Sequence, residues 1–251
     1  MIELKEYQRS EKPNWCLGCG NFGIVRAVKK SLAELGIEPH QTVLATGVGC
    51  YAKLPYWVKA NGFVGLHGRE LAVAQGVKLA NPNLQVIALS GDGAGYGEGG
   101  NHFLHACRRN IKVTYLVHNN EVFGLTTGQY SPTSRWGKKT KASPEGAPWL
   151  PLNPLALAIS AGATFVARAY AGHIKETVEI IKQAIQHPGF AFVDILQPCL
   201  SFNPEHNHEY YQNKVYYLDE KNHNSGNKVL AFEKALGEEN QIACGVVYRK
   251  G

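Results

Sequence analysis

Residues 84–100, LQVIALSGDGAGYGEGG, decide how this chain folds and where its site lies. The apolar run at the start of the stretch is typical of a strand that is buried on both faces of a parallel sheet. Glycines then crowd around Asp92, and glycine lets a backbone approach a ligand closely. Because open parallel sheets bind ligands at the carboxyl ends of their strands, the stretch predicts a parallel sheet with a site beside Asp92.

Helical and strand patterns alternate along much of the chain. Apolar residues at helical spacing predict helices over 21–37, 69–82, 99–110, 173–189 and, more briefly, 229–239. Short apolar runs predict strands over 41–47, 84–90, 111–118 and 190–198. This alternation predicts an α/β fold, a doubly wound parallel sheet with helices on both faces.

Two stretches have no clear pattern. Residues 126–155 are rich in Gly, Pro, Ser and Thr, which predicts a long loop of a kind that is usually functional. Residues 201–251 are polar and weakly periodic, so we expect an irregular C-terminal extension. No internal repeat and no clear boundary divide the sequence, and we therefore predict a single domain over 1–251.

Composition excludes several classes of protein. The 251 residues are 44% hydrophobic and 18% charged, enough apolar material for a sizeable core. The charged N-terminal stretch is unlike a signal peptide and no apolar run approaches membrane-spanning length, so we expect a cytoplasmic protein without a membrane contact. The net charge of +6 is dispersed rather than clustered, which argues against a nucleic-acid partner.

Two oxygen-bearing side chains follow neighbouring predicted strands. Asp92 comes after the strand at 84–90, and Asn120 comes after the strand at 111–118. One βαβ unit separates them, which would bring both side chains to adjacent strand ends. Mg²⁺ is commonly held by a few protein oxygens together with phosphate oxygens and water. We therefore interpret the glycine loop as a cradle for a diphosphate and Asp92 as the anchor of its metal ion.

Four of the six cysteines form a second group. Cys16 and Cys19 make a CxxC at the start of a predicted helix, and Cys50 and Cys199 each follow a strand. Without a secretory signal, ligation of a metal or cluster is a better interpretation than a disulfide framework. Zn²⁺ and a [4Fe-4S] cluster both suit four thiolates, and spacing leaves the choice open. Cys107 and Cys244 are interpreted as packing residues.

These motifs carry a family resemblance. The pair GDG (91–93) and NN (119–120) resembles the thiamine diphosphate motif, and residues 100–134 resemble the β subunit of 2-oxoacid:ferredoxin oxidoreductases. WCLGCG, GVGC, LHGR and QPC extend the similarity over about 12–203. The resemblance implies the thiamine diphosphate-binding fold of the PP type. It also implies CoA-dependent oxidative decarboxylation of a 2-oxoacid to acyl-CoA and CO2 with reduction of ferredoxin, or the reverse.

The resemblance also implies site residues. Mg²⁺ would be ligated by Asp92, Asn120 and the main-chain carbonyl of Val122. Thiamine diphosphate would contact Val48, Gly49, Cys50, Tyr51, His67, Gly91, Gly93, Ala94, Gly124 and Leu125. One [4Fe-4S] cluster would be held by Cys16, Cys19, Cys50 and Cys199. No side chain of this chain is expected to act as the catalyst, because the coenzyme does.

Partners and substrate follow in the same way. The resemblance implies a separate α subunit that carries the pyrimidine-binding domain and its activating acid, in an αβ or (αβ)2 assembly, together with ferredoxin, a 2-oxoacid and coenzyme A. Leu125 resembles the 2-oxoglutarate or broad-specificity branch more than dedicated pyruvate enzymes. Lys53, Arg69 and Arg135 are candidates to meet a second substrate carboxylate.

Two alternatives remain at this stage. A non-redox thiamine diphosphate-dependent decarboxylase or synthase would share GDG and NN but would have no use for four converging thiolates. A zinc-stapled module that binds nucleic acid would need a clustered basic face, which the sequence lacks. Broad absorbance near 400 nm would exclude the first alternative, and salt-sensitive binding to DNA or RNA would favour the second.

Overall fold

The computed structural model describes residues 2–219, 221–237 and 240–251. Within this part of the chain, ten strands and eight α-helices follow one another. The strands are β1 (Thr42–Thr46), β2 (Asn61–Val64), β3 (Gln85–Gly91), β4 (Thr114–Asn119), β5 (Val122–Phe123), β6 (Gln129–Tyr130), β7 (Phe165–Tyr170), β8 (Ala191–Leu196), β9 (Val215–Tyr217) and β10 (Ile242–Arg249). The helices are α1 (Asn21–Glu34), α2 (Leu54–Trp57), α3 (Glu70–Ala80), α4 (Gly100–Arg109), α5 (Pro154–Ser160), α6 (Ile174–Gln186), α7 (His208–Lys214) and α8 (Lys228–Leu236).

Eight strands form one central sheet in the order β2-β1-β3-β4-β8-β7-β10-β9. All neighbours pair in parallel except β10, which runs antiparallel to β7. The register aligns Gly91 at the end of β3 with His118 near the end of β4. The residues that follow these two strands therefore leave the sheet side by side.

Apolar side chains cover both faces of the sheet. On one face Leu44, Ile87 and Val193 belong to a core that also includes buried residues of α1 and α6. On the other face Ala88 and Phe192 belong to a core with buried residues of α3, α4, α5 and α8. Burial on both sides explains why the central strands are continuous apolar runs. The predicted doubly wound α/β fold is confirmed.

The predicted elements of the first 200 residues are present, with ends displaced by a few residues. The predicted helix at 229–239 corresponds to α8, and its predicted residues 238 and 239 lie outside the described part. The long loop at 126–155 is present: it contains the two-residue strand β6 and ends where α5 begins at Pro154. None of the described helices has the length and apolar character needed to cross a bilayer.

The expectation of an irregular extension over 201–251 is wrong for the described residues. They contain α7, β9, α8 and β10, and β10 joins the central sheet beside β7. Of these elements α7 and β9 are short, and β10 contains a register shift between Val246 and Tyr248 and a glycine, Gly245, at φ +120°. These irregularities weaken the period of the pattern, whereas pairing with β7 supplies the backbone hydrogen bonds that stabilise the strand.

Candidate functional site

Asp92 stands at the carboxyl end of β3 and begins a π-helical turn over Gly93–Glu98. A β carbon on Gly93 would overlap the ring of Phe123, so only glycine fits at this approach. The turn leads directly into α4. The cradle at this sheet edge is therefore built from backbone, as the glycine content predicts.

The Asp92 carboxylate is 1% exposed and faces few compensating groups. Thr133 Oγ1 donates to Asp92 Oδ2 over 2.7 Å, and the Asn120 N–H donates to Asp92 Oδ1 over 3.4 Å. Burial raises the pKa of Asp92 to about 6. A buried carboxylate without a cationic side chain in contact with it is costly unless a cation neutralises it. Asp92 could therefore hold a cation at this edge of the sheet.

The second strand end supplies the turn at 120–122. Asn120 is 6% exposed, and its Oδ1 accepts from the Val122 N–H over 3.2 Å. Glu121 between them has φ +59°. Asn120 is thus brought to Asp92, as the spacing of the two predicted strands implies.

One cavity of about 350 Å³ opens at this edge of the sheet. Its wall includes every residue that was predicted to contact thiamine diphosphate or Mg²⁺: Val48, Gly49, Cys50, Tyr51, His67, Gly91, Asp92, Gly93, Ala94, Asn120, Val122, Gly124 and Leu125. They come from separate stretches of the chain. The fold therefore gathers the whole predicted set around one space.

His67 is oriented at the mouth of the cavity by two contacts. Its Nδ1 lies 2.8 Å from the Val48 carbonyl oxygen, and its Nε2 lies 3.1 Å from Glu98 Oε2. With both nitrogens engaged, the ring is fixed against the loop that follows β1.

Tyr51 supports the floor of the cavity. A β carbon on Gly49 would overlap its ring and one on Gly91 would come within 3.0 Å of it, and its hydroxyl donates a hydrogen bond to Glu70. Glu70 is 1% exposed, and burial raises its pKa above the ordinary value. Tyr51 therefore links the glycine backbone of the cradle to a buried carboxyl group beneath it.

Five cavity residues were not identified from the sequence: Glu98, His118, Phe123, Thr126 and Gln197. His118 is 1% exposed, its Nδ1 lies 2.6 Å from Asn21 Oδ1, and its Nε2 has no hydrogen-bond partner among the described residues. Burial lowers the pKa of His118 to about 3, so the imidazole is neutral. The sequence could have pointed to His118, because it ends a predicted strand and directly precedes Asn119.

The four predicted cysteine ligands line a second cavity, of about 180 Å³. Burial, together with the nearby Cys199, Cys50 and Cys16, raises the pKa of the Cys19 thiol to about 11. Trp15 Nε1 donates to the Cys50 carbonyl over 2.7 Å, and Gln197 Nε2 donates to Cys19 Sγ over 3.4 Å. Cys107 and Cys244 lie apart from this cavity and are fully buried.

The two cavities are adjacent. Their walls share Cys50, Asn120, Gly124, Leu125 and Gln197. A group bound to the cysteines would therefore be separated from the first cavity by a single layer of residues. Within the described residues, no three His, Cys, Asp or Glu side chains are arranged to hold one metal ion.

The three substrate candidates do not line the first cavity. Lys53 lies at the cysteine cavity, where its Nζ donates to Asn14 Oδ1 over 3.3 Å. Arg69 donates to the Glu98 carbonyl over 2.9 Å, beside the mouth. Arg135 forms an ion pair with Glu205. Their roles remain predictions.

Two family models match the chain. Residues 40–195 match the model described as "Thiamine pyrophosphate enzyme, C-terminal TPP binding domain". Residues 199–251 match the model for the C-terminal part of the pyruvate ferredoxin oxidoreductase beta subunit. The first match includes both strand ends described above.

Similar proteins cover most of the chain. A 2-oxoacid:ferredoxin oxidoreductase subunit beta from Saccharolobus solfataricus is 52% identical over 209 residues, which are 82% of this chain and 68% of that protein. A 2-oxoacid:ferredoxin oxidoreductase 1, subunit beta, from Aeropyrum pernix is 43% identical over 255 aligned positions, covering 98% and 80%. The solved 2-oxoglutarate:ferredoxin oxidoreductase from Magnetococcus marinus, with 2-oxoglutarate, coenzyme A and succinyl-CoA bound, matches with TM-score 0.96 and 38% identity, covering 100% of this chain and 86% of that one.

Proposed function

Because the chain belongs to the β subunits of the 2-oxoacid:ferredoxin oxidoreductases, we propose that its two adjacent cavities hold thiamine diphosphate with Mg²⁺ and one [4Fe-4S] cluster. The observation that supports this most strongly is the gathering of the predicted coenzyme residues around one cavity that shares a wall with the four cysteines.

For the metal, we assign Asp92, Asn120 and the carbonyl of Val122 as Mg²⁺ ligands. The buried carboxylate of Asp92, whose hydrogen-bond donors are neutral groups, supports this assignment, since a divalent cation would offset its desolvation. The backbone of the glycine turn and the loop residues Val48, Gly49 and Gly124 would then enclose the coenzyme. Thiamine diphosphate, when bound, supplies a nucleophilic carbon and an electron sink for decarboxylation.

For the cluster, we assign Cys16, Cys19, Cys50 and Cys199. A structural zinc site gathers its thiolates on one ion, whereas a [4Fe-4S] cluster distributes four thiolates over four irons. The four cysteines line a common cavity beside the coenzyme cavity, where zinc, which has no accessible redox step, could not take up electrons. A cluster supplies one-electron transfer, and its place beside the coenzyme cavity suits that task.

We further propose an α subunit with the pyrimidine-binding domain, ferredoxin as electron partner, coenzyme A as co-substrate and 2-oxoglutarate as the 2-oxoacid. The bound molecules in the Magnetococcus marinus enzyme and the identity of Leu125 support 2-oxoglutarate. The proposal also includes a single domain over 1–251 and an αβ or (αβ)2 assembly. The cytoplasm, where thiols stay reduced, is the proposed location.

The two alternative functions are not favoured. A non-redox thiamine diphosphate enzyme would leave the four-cysteine cavity unexplained. A zinc-stapled nucleic-acid-binding module is inconsistent with the family to which the chain belongs.

The test is reconstitution with the α subunit. We expect a brown complex with broad absorbance near 400 nm and about 4 iron and 4 acid-labile sulfide per β chain. With coenzyme A present, 2-oxoglutarate should reduce a viologen dye faster than pyruvate or branched 2-oxoacids do. A colourless complex that contains zinc would contradict the cluster, and preference for pyruvate would contradict the substrate.

A further inference from the structure

The turn at 120–122 has a backbone conformation that its sequence does not favour. Glu121 has φ +59°, the left-handed region in which a residue with a β carbon is disfavoured. Its two neighbours are the residues whose side chain and carbonyl we assign to Mg²⁺. A small rotation of this turn would therefore move both ligand atoms relative to Asp92.

Three side chains hold the backbone of the turn. The Glu121 carbonyl accepts from Ser134 Oγ and, over 3.4 Å, from Lys138 Nζ, both on the long loop after β6. The Asn120 carbonyl accepts from Asn203 Nδ2 over 3.1 Å. Asn203 is 4% exposed and belongs to the segment that follows Cys199.

The side chain of Glu121 is held by the same C-terminal segment. Tyr211 Oη donates to Glu121 Oε1 over 3.3 Å, and His206 Nδ1 lies 2.8 Å from Glu121 Oε2. Tyr211 is 1% exposed, which fixes the position of its hydroxyl. The ring of Tyr210 stacks on His206 with centroids 4.1 Å apart and holds the imidazole in place.

We propose that residues 203–211 act as a clamp on the metal-binding turn, with Glu121 and Tyr211 as positioning residues for Mg²⁺. The clamp offsets the cost of the left-handed residue and keeps the Asn120 side chain and the Val122 carbonyl directed at the ion. This inference rests on the proposed Mg²⁺ site. Residues 203–211 would thus position the turn at 120–122, a role that the sequence after Cys199 does not indicate.

The segment also reaches the cysteine side of the site. His208 Nε2 lies 2.9 Å from the carbonyl oxygen of Gly18, within the CxxC turn, and Tyr170 Oη lies 2.9 Å from His208 Nδ1. One short stretch of chain therefore contacts both the metal-binding turn and the CxxC turn.

The test is a titration with Mg²⁺ of the intact αβ enzyme after removal of metal and coenzyme with a chelator. Binding of thiamine diphosphate is followed by calorimetry at increasing Mg²⁺ for the unmodified enzyme and for Glu121→Ala, Glu121→Gly and Tyr211→Phe. Loss of a group that orients a metal ligand typically weakens metal binding by about tenfold or more. We expect Glu121→Ala to raise the half-saturating Mg²⁺ concentration by about tenfold and Tyr211→Phe by a smaller factor.

Glu121→Gly distinguishes positioning from general stabilisation. Glycine accepts a positive φ without strain, so we expect it to restore part of the Mg²⁺ affinity that Glu121→Ala loses, although both lack the carboxylate. The control is Tyr56→Phe, which removes the hydroxyl of a tyrosine on α2 that lies outside residues 203–211 and is 58% exposed. The control should match the unmodified enzyme.

An unchanged Mg²⁺ requirement in Glu121→Ala would overturn the inference. If that variant fails to fold, an unchanged requirement in Tyr211→Phe would overturn it equally. Asp92→Ala separates this failure from failure of the metal site: if Asp92→Ala loses Mg²⁺-dependent binding and Glu121→Ala does not, only the clamp is wrong. If the unmodified enzyme binds thiamine diphosphate without any need for Mg²⁺, the proposed site itself is wrong.

Discussion

Thr133 is joined to Asp92 by a hydrogen bond of 2.7 Å, although 41 residues separate them in the sequence. The same hydroxyl lies 3.0 Å from Asn119 Oδ1. Asn119 in turn donates to Asp194 Oδ1 over 3.0 Å. The single proton of the Thr133 hydroxyl is used for Asp92, so the carboxylate at the proposed metal site is oriented directly by the long loop after β6.

Replacement of Thr133 by Val should weaken coenzyme binding. Valine has nearly the same shape but removes the donor to Asp92, and we expect the Mg²⁺-dependent affinity for thiamine diphosphate to fall by about tenfold. Calorimetry on the αβ enzyme measures the change. Thr133→Ser, which retains a hydroxyl, is the matched control, and equal losses in both variants would contradict a role for this hydrogen bond.

Asp92→Ala should abolish retention of thiamine diphosphate during purification while the brown colour survives. The carboxylate belongs to the coenzyme cavity and not to the cysteine cavity, so the two groups should be lost independently. Oxidation of the coenzyme to fluorescent thiochrome measures the coenzyme content. Absorbance near 400 nm measures the cluster content. Retained coenzyme in the variant would show that Asp92 is not its anchor.

Cys199→Ser should remove the absorbance near 400 nm and the acid-labile sulfide, because a cluster then lacks one of four thiolates. Cys107→Ala and Cys244→Ala are controls, since both side chains are fully buried but lie outside the cysteine cavity. They should keep full iron content. Loss of iron in either control without loss of folded protein would require a different ligand set.

Arg168→Met should destabilise the fold. Arg168 Nε donates to Asp194 Oδ2 over 3.0 Å, and Asp194 is fully buried, so the variant leaves a buried charge without its partner. Removal of one partner of such a pair costs about 3–5 kcal/mol in the free energy of unfolding. Urea denaturation measures it. Lys182→Met, which removes an exposed pairing with Glu34, is the control and should cost at most about 1 kcal/mol.

The stability of the protein should depend on pH through Glu70. Burial raises the pKa of this carboxyl group in the folded protein above its ordinary value, and the hydrogen bond from Tyr51 offsets only part of that shift. Such a group stabilises the fold fully below its unfolded pKa of about 4.3, and that stabilisation is lost as the pH rises through the folded pKa.

As the pH rises above about 4.3 we therefore expect the Tm of the unmodified protein to fall relative to that of Glu70→Gln, which cannot ionise. Differential scanning calorimetry at several pH values measures the difference. Parallel Tm curves for the two proteins would mean that Glu70 does not titrate differently on folding.

The sequence predicted correctly those features that depend on residues close together in the chain. The apolar run of β3 followed by glycines predicted both a buried strand and the backbone cradle at Gly93. It failed for β10, whose pattern is interrupted by Gly245 and a register shift, and which becomes a strand by pairing with β7. It also missed Gln197 and His118, although Gln197 belongs to QPC and His118 adjoins NN, because whether their side chains face the cavity depends on how the strand ends are packed.

The sequence by itself determined the parallel sheet, the residues at its strand ends and the chemistry that those residue types support, because strand periodicity and glycine content act over a few residues. Only the tertiary structure decided that Thr133 holds Asp92, that Asn203 holds the backbone of Asn120, and that Tyr211 meets Glu121. These contacts join residues from 41 to 90 positions apart. They exist because packing of the whole sheet brings distant segments to one edge, which no local pattern encodes.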